Sequence, residues 1–191
     1  DVDYYVINKP AGLATMYSPG QGGVTLESGL YHYLGCPSNY VFRPVNRLDK
    51  GTSGLMAAAK HAHAQQLLQK ELHTERFVRE YTALCKGQFP QREGIICAPI
   101  GKMENSIKRR VNEAGKEAVT EYRVLETGKK ATLVRLRLRT GRTHQIRVHM
   151  QSIGHPVLGD VIYGHKHLPR AERLLLHAYS LSFTHPVTKE R

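Results

Sequence analysis

The sequence lacks several features that would place it in other classes of protein. No stretch approaches the roughly 18 consecutive apolar residues of a membrane span, and the first ten residues, DVDYYVINKP, lack the basic and then apolar order of a secretion signal. The three cysteines, Cys36, Cys85 and Cys97, show no metal-ligand spacing, so we expect neither a disulfide framework nor a zinc knuckle but small buried side chains. These absences predict a soluble, cytoplasmic protein with no membrane partner.

Acidic residues are also scarce. The chain of 191 residues has 16 Asp and Glu against 28 Lys and Arg, which gives a formal net charge of +12 and a pI near 9.8. From Thr127 onward, 12 Lys and Arg accompany only three acids, Asp160, Glu172 and Glu190. Nucleic acid is the partner that fits this excess best, because neutralising phosphates releases counterions. Tryptophan is absent, but ten tyrosines offer faces for stacking. A basic protein without such a partner is the alternative.

The local patterns predict short strands and helices in one globular domain. Short apolar or alternating runs indicate strands at 4–8, 54–60 and 79–87. An apolar stripe over Ala64, Leu68 and Leu72 predicts a helix, and further helices are expected at 26–34 and from Thr143. Because strands and helices do not alternate regularly, we expect an α+β fold with a mixed, largely antiparallel sheet and flanking helices.

Three arginines alternate with apolar residues in ATLVRLRLRT, residues 131–140. A strand in this segment buries one face, formed by Val134, Leu136 and Leu138, and lines the other with guanidinium groups. We expect this basic wall to contact nucleic-acid phosphates, together with the next arginine along the chain; the residues are Arg135, Arg137, Arg139 and Arg142.

A second basic segment, residues 101–118, has little apolar pattern. We interpret it as a mobile hairpin or loop that grips a nucleic-acid backbone through Lys102, Lys108, Arg109 and Arg110. A solvated loop with no partner is the alternative.

The stretch VNRLDKGTSG, residues 45–54, places one aspartate, Asp49, between Arg47 and Lys50 in a run of turn-forming residues. Gly51 and Gly54 allow the backbone to approach a ligand closely. A carboxylate held by an arginine stays ionised and is available as a nucleophile. The alternative is an aspartate that accepts hydrogen bonds from its own turn.

Histidines are numerous, and three of them, His144, His149 and His155, fall in THQIRVHMQSIGH. Their spacing does not bring them to one helical face and no acid accompanies them, so we predict no metal site. Helix capping, RNA contact and packing remain open for them. The loop SPGQGG lacks the Lys-Ser/Thr pair of a phosphate-binding loop, so no nucleotide cofactor is expected.

Five segments occur in the order and approximate spacing seen in RNA pseudouridine synthases, in the branch that modifies uridines of large-subunit ribosomal RNA and some transfer RNA. They are INKPAG, NRLDKGTSG, REYTALCKG, GRTHQIRVHMQSIGHPVLGD and RLLLHAYSLSFTHP. The chain resembles this family over almost its whole length. The resemblance implies the family's catalytic fold with a central basic cleft, and a single catalytic domain over 1–191 without the small RNA-binding domain that often precedes it. It also implies a monomer that needs neither metal nor organic cofactor.

The resemblance also implies roles for individual residues. Asp49 matches the catalytic aspartate that attacks the target uridine, while the route, through the ribose carbon, the base or a glycal, stays open. Tyr81 matches the tyrosine that stacks on the base and assists removal of the proton at carbon 5. Arg147 matches the arginine that pairs with the aspartate, and Arg47 the one that occupies the space left by the extruded uridine. Asn46 departs from the family, whose members usually carry histidine there.

Several alternatives accompany these assignments. Taken alone, Tyr81 fits a structural tyrosine on a half-buried strand and Arg147 an exposed helix charge, and Lys9 and Pro10 resemble a motif that supports the fold.

The first candidate function is an isomerase that converts specific uridines in structured ribosomal or transfer RNA to pseudouridine. The second is a non-catalytic RNA-binding or ribosome-assembly module. A metal-dependent nuclease is a third, weaker candidate.

Overall fold

A computed structural model describes residues 1–18, 20, 22–164, 171–185 and 187–190. By its internal contacts the chain divides into two compact units. The first unit comprises Asp1–Phe77 and Leu181–Arg191, and the second comprises Val78–Ser180.

The first unit is built on three antiparallel strands and two helices. Strand β3 (Ser53–Ala59) pairs with β1 (Tyr4–Lys9) and with the short β2 (Arg43–Pro44). The helices are α1 (Leu26–Tyr33) and α2 (Ala62–Glu71). The register places Lys9 opposite Gly54, so the end of β1 lies beside the loop that leads into β3. The predicted strands at 4–8 and 54–60 and the helix at 26–34 are confirmed.

Both helices begin at residues that satisfy their first backbone donors. Thr25 caps α1 through a capping box with Ser28, and the ring of His61 accepts the N–H of Ala64 at the start of α2. Ala64 and Leu68 are fully buried against the alanines of β3 and the ring of Phe77. The apolar stripe predicted for this helix therefore forms the core of the first unit.

The second unit contains an antiparallel sheet with the strand order β4-β9-β8-β5. Its strands are β4 (Phe77–Lys86), β5 (Glu93–Cys97), β8 (Val119–Thr127) and β9 (Ala131–Leu138). Strands β6 (Ile100–Lys102) and β7 (Arg109–Val111) form a separate hairpin, and β10 (Leu176–Phe183) runs from the second unit into the first. The combination of antiparallel sheets and helices confirms the α+β prediction.

Helix α3 (Gln145–Ser152) packs on one face of this sheet. Val148 contacts a cluster formed by Ile100, Ala118 and Tyr163. His149 and Gln145 both hydrogen-bond to the hydroxyl of Thr120 on β8, which fixes the face of the sheet that α3 covers. The helix predicted to begin near Thr143 thus starts two residues later.

The cysteines differ from the expectation. Cys85 is buried, and desolvation raises the pKa of its thiol to about 12, whereas Cys36 and Cys97 are exposed. The prediction of small buried side chains was therefore wrong for two of the three. The sequence around Cys36 and Cys97 has no apolar period that would indicate whether their side chains are buried. All three are free thiols. In the described part of the chain, no helix has the length and apolar character needed to cross a bilayer.

Candidate active site

Asp49 lies on a loop that the backbone fixes from both sides. Its carbonyl accepts the N–H of Thr52 at 3.0 Å, and the carbonyl of the preceding residue, Leu48, accepts the hydroxyl of Thr15 at 2.8 Å. Leu48 is buried, while Asp49 itself is only half-buried. The loop is therefore anchored in the core of the first unit, and Asp49 itself remains partly accessible to solvent.

Lys9 is a fully buried lysine beneath this loop. Its ammonium donates to the carbonyls of Pro10 at 2.9 Å, Leu13 at 2.8 Å and Lys50 at 3.4 Å, and the last of these residues directly follows Asp49. Desolvation lowers the pKa of Lys9 to about 8, and the negative charge of Asp49 opposes that decrease. Lys9 supports the fold as predicted, and it also places a positive charge in the electrostatic environment of Asp49.

The residues before Asp49 divide into one buried and one exposed side chain. Asn46 is 6% exposed, and its side-chain oxygen accepts the N–H of Ala57 on β3 at 2.9 Å. Its amide nitrogen is buried without a hydrogen-bond partner among the described residues. Arg47 is exposed. Asn46 thus ties the loop to the sheet, and Arg47 is accessible to a large ligand.

Tyr81 lies on β4, opposite Leu136 of β9, and is 5% exposed. Paired residues share a face of a sheet, and the pairing of Thr120 with Leu138 puts Tyr81 on the face that α3 covers. The ring is therefore part of the inner face of the second unit.

Arg147 is buried on α3, so the alternative of an exposed helix charge is wrong. Its Nε and Nη2 atoms donate to the two carboxylate oxygens of Asp160 at 2.7 and 2.8 Å. Burial alone would raise the pKa of Asp160, but the hydrogen bonds and charge of Arg147 and the N–H groups of Tyr163 and Ile162 hold it below its usual value. The predicted pairing of Arg147 with Asp49 stays a prediction.

Asp160 was not recognised as a site residue from the sequence. The available signal was its position in GHPVLGD as one of three acids in the strongly basic part of the chain after Thr127. A buried bidentate pair fixes the direction of a guanidinium, because both carboxylate oxygens are used.

The start of α3 is held by a network of buried polar groups. The side-chain oxygen of Gln145 accepts the hydroxyl of Thr140 at 2.8 Å and the N–H of Arg142 at 2.9 Å, and its nitrogen donates to Thr120 at 3.0 Å. The hydroxyl of Thr120 lies 2.8 Å from Nδ1 of His149. Desolvation lowers the pKa of His149, partly offset by its bond to a backbone carbonyl, so the ring is neutral at physiological pH.

The predicted RNA-binding residues of the hairpin differ in exposure, and their contact with RNA stays a prediction. Lys102, Lys108 and Arg110 are exposed, whereas Arg109 is half-buried and donates its N–H to the hydroxyl of Tyr163 at 2.8 Å. Arg142 is half-buried, and its Nε donates to a backbone carbonyl.

The basic wall lies on the other face of the sheet from Tyr81. Arg135 is exposed opposite Arg123, Arg137 is half-buried, and Arg139 forms an ion pair with Glu121. A groove of about 750 Å³ on this face is lined by Gln91, Arg92, Glu93, Arg123, Val124, Leu125 and Arg135.

The three histidines considered for a metal lie in different surroundings. His149 lies in the core network, and His155 stacks on Phe89 with ring centroids 4.0 Å apart, while His144 bonds to Tyr163.

Among the described residues, Asp1, Asp3 and His185 come close enough to share an ion. Nδ1 of His185 accepts the backbone N–H groups of Val187 and Thr188 at 3.1 and 3.0 Å. This arrangement puts the ring proton on Nε2, which donates to Asp1 at 3.0 Å. The group therefore fits a hydrogen-bonded cluster better than a set of metal ligands.

The fold and these residues can now be compared with known proteins. A family model described as RNA pseudouridylate synthase matches residues 3–152. The chain therefore belongs to this family.

Curated relatives agree with the assignment. The chain is 41% identical over 189 residues to the uncharacterized RNA pseudouridine synthase YhcT of Bacillus subtilis, covering 97% of this chain and 62% of the relative. It is 43% identical to the ribosomal large subunit pseudouridine synthase D of Vibrio cholerae, covering 100% of this chain and 63% of the relative. The chain thus spans somewhat less than two thirds of the length of these relatives.

Solved structures show the same fold. Human RNA pseudouridylate synthase domain containing 1 superposes with a TM-score of 0.79 at 28% identity, covering 95% of this chain and 75% of that one. Human RNA pseudouridylate synthase domain containing 4 gives a TM-score of 0.75 at 26% identity, covering 95% and 81%. The prediction of a pseudouridine synthase fold is confirmed.

Proposed function

We propose that the protein is an RNA pseudouridine synthase that converts specific uridines of structured RNA, with large-subunit ribosomal RNA as the first substrate to test. The observation that carries the proposal is the family match over residues 3–152. The name of the Vibrio cholerae relative supports the choice of ribosomal RNA, and the net charge of +12 fits a polyanionic substrate.

In the proposed reaction, the Asp49 carboxylate is the nucleophile: it forms a bond to the target nucleoside, and this bond breaks again before the product leaves, which regenerates the carboxylate. The bond between the ribose carbon and N1 of uracil breaks, the base rotates, and a bond between the same ribose carbon and C5 replaces it. The proton of C5 leaves and N1 gains a proton, so substrate and product are isomers. What supports this role is the half-buried position of Asp49 on an anchored loop, since a nucleophile must be both held and reachable.

We propose that Tyr81 stacks on the base and assists removal of the C5 proton, and that Arg147 keeps Asp49 ionised. A guanidinium carries five N–H donors, of which Asp160 receives two, so pairing with Asp160 is compatible with a second acceptor. The exposed Arg47 is proposed to fill the space of the extruded uridine. The cations of the hairpin and of the basic wall are proposed to contact phosphates.

The test is release of tritium into water from RNA labelled at C5 of uridine. We expect release from ribosomal RNA fragments by the wild-type protein in the presence of EDTA. Asp49→Asn should lower the rate by more than about a thousandfold, because a covalent nucleophile has no substitute, with RNA affinity within about twofold by filter binding. Transfer RNA serves as the second substrate class in the same assay.

Three results would count against the proposal. Tight RNA binding without release from any cellular RNA would favour the non-catalytic module. Appreciable turnover by Asp49→Asn would remove the nucleophile assignment. RNA cleavage that EDTA stops would instead indicate a nuclease.

A further inference from the structure

The hydroxyl of Tyr163 joins the β6-β7 hairpin to the start of α3. Tyr163 is 8% exposed, and its oxygen accepts the N–H of Arg109 on β7 at 2.8 Å. The same oxygen lies 2.8 Å from Nδ1 of His144. The phenol oxygen accepts from Arg109 and still has its own proton and a second lone pair, so it is able to pair with either tautomer of the His144 imidazole.

Tyr163 also contacts the buried ion pair of the candidate active site. The guanidinium carbon of Arg147 lies 5.0 Å from the centroid of the Tyr163 ring, within the range of a cation–π contact. The backbone N–H of Tyr163 donates to Asp160 at 3.0 Å. One tyrosine therefore touches the hairpin that carries exposed cations and the arginine proposed to act on Asp49.

His144 adopts a backbone conformation that residues other than glycine rarely take. Its φ of 59° and ψ of 19° lie in the left-handed region, directly before the first residue of α3. Such strain persists only where surrounding contacts hold it, and it is found most often at functional sites. In this protein, the residue in the left-handed conformation is also the one whose ring contacts the hydroxyl of Tyr163.

We propose that Tyr163 and His144 form a latch that holds the hairpin where its cations meet RNA phosphates, and that links this hairpin to the position of Arg147. Both are positioning residues, since neither is proposed to touch the reacting atoms. Lys102, Lys108 and Arg110 are the exposed hairpin cations that the latch would place. The inference rests on the proposed function for its RNA ligand.

Tyr163→Phe tests the latch, because it removes the hydroxyl and keeps the ring beside Arg147. We expect KM for RNA to rise about threefold to tenfold, which corresponds to the loss of one hydrogen-bonded contact point, with kcat changed less than about twofold. Amide exchange of residues 100–111 should accelerate, most of all at Arg109. Tyr40→Phe is the matched control, since its hydroxyl also bonds a backbone group, the carbonyl of Glu27 at 3.0 Å, and it should leave KM unchanged.

His144→Asn supplies the second variant, because asparagine tolerates the left-handed region but does not carry the imidazole. It should raise KM like Tyr163→Phe, and the double variant should be no worse than either single one, since both break one chain of contacts. A purely structural role would lower Tm without changing KM of the folded protein.

The latch is overturned if Tyr163→Phe leaves both KM and amide exchange at Arg109 unchanged. It is also overturned if the effects of Tyr163→Phe and His144→Asn on KM add in the double variant. A fall in kcat with constant KM would also overturn it, because the hairpin would then not be the part affected. The proposed function fails separately, through absent tritium release by wild-type protein. In that case filter binding and amide exchange still decide the latch, with RNA Kd in place of KM.

Discussion

The buried ammonium of Lys9 makes a prediction about stability and pH. Lys9 has a pKa of about 8 in the folded protein because burial disfavours its charge, against an ordinary value of about 10.5 in an unfolded chain. Below pH 8 both states hold the proton and the folded state carries the full cost, about 3 kcal/mol. Between pH 8 and 10.5 only the unfolded state keeps the proton, so stability rises with pH through this window.

Lys9→Met isolates this effect, because methionine fills a similar volume without a titrating group. The free energy of unfolding of the wild-type protein minus that of the variant should rise by about 2.5 kcal/mol from pH 7 to pH 10. Urea unfolding at each pH measures it, and titration of the lysine side chain by NMR should give a midpoint near pH 8. A difference constant within about 0.5 kcal/mol would refute the reasoning.

Asp49 provides an internal check on the same reasoning. Its negative charge opposes the decrease in the pKa of Lys9, so Asp49→Asn should move the midpoint of Lys9 below that of the wild-type protein. An unchanged midpoint would mean that the Lys9 ammonium and the Asp49 carboxylate do not interact, although Lys9 bonds to the carbonyl of the neighbouring Lys50.

Three further predictions concern the second unit. Asp160→Asn should destabilise the fold by about 3 kcal/mol in urea unfolding, because it leaves the buried charge of Arg147 without its bidentate partner; a loss under about 1 kcal/mol would contradict this. Gly159→Ala should cost more than about 3 kcal/mol, since a Cβ would meet a backbone oxygen at 1.8 Å, whereas Gly154→Ala, also at positive φ but with open space, should cost about 1 kcal/mol. Lys108→Gln should weaken binding of all RNAs similarly and reduce the slope of log K against log salt by about 1.

Elements with a strong period were predictable from the sequence. Val134 and Leu136 are fully buried and Arg135 is exposed, as alternation requires. Strands β5 and β8 were not predicted, because their apolar residues are too few to define a period. Their place in the sheet is set by pairing with distant segments rather than by local pattern.

The residues of the candidate site were predictable as motifs, but their partners were not. Asp160 lies 13 positions after Arg147, and a spacing of this length carries no local geometric rule. Lys9 looked like a residue that supports a turn, and only the packed structure reveals its burial and its charge beside Asp49. Charge pairs inside a fold depend on tertiary packing, which one sequence does not display.

The two groups of predicted RNA-binding residues differ in what they are able to contact. Arg135 projects from the sheet face opposite that of Tyr81, and side chains on opposite faces are separated by the full thickness of a sheet layer. If both residues contact RNA as proposed, we expect a phosphate at Arg135 to belong to a different part of the RNA from a base stacked on Tyr81. The hairpin, in contrast, is bonded to Tyr163, whose hydroxyl also contacts His144 at the start of α3, the helix that covers the Tyr81 face. Under the proposed function, we therefore expect the hairpin to make the contacts near the reacting uridine and the basic wall to contact a distant segment of a folded RNA.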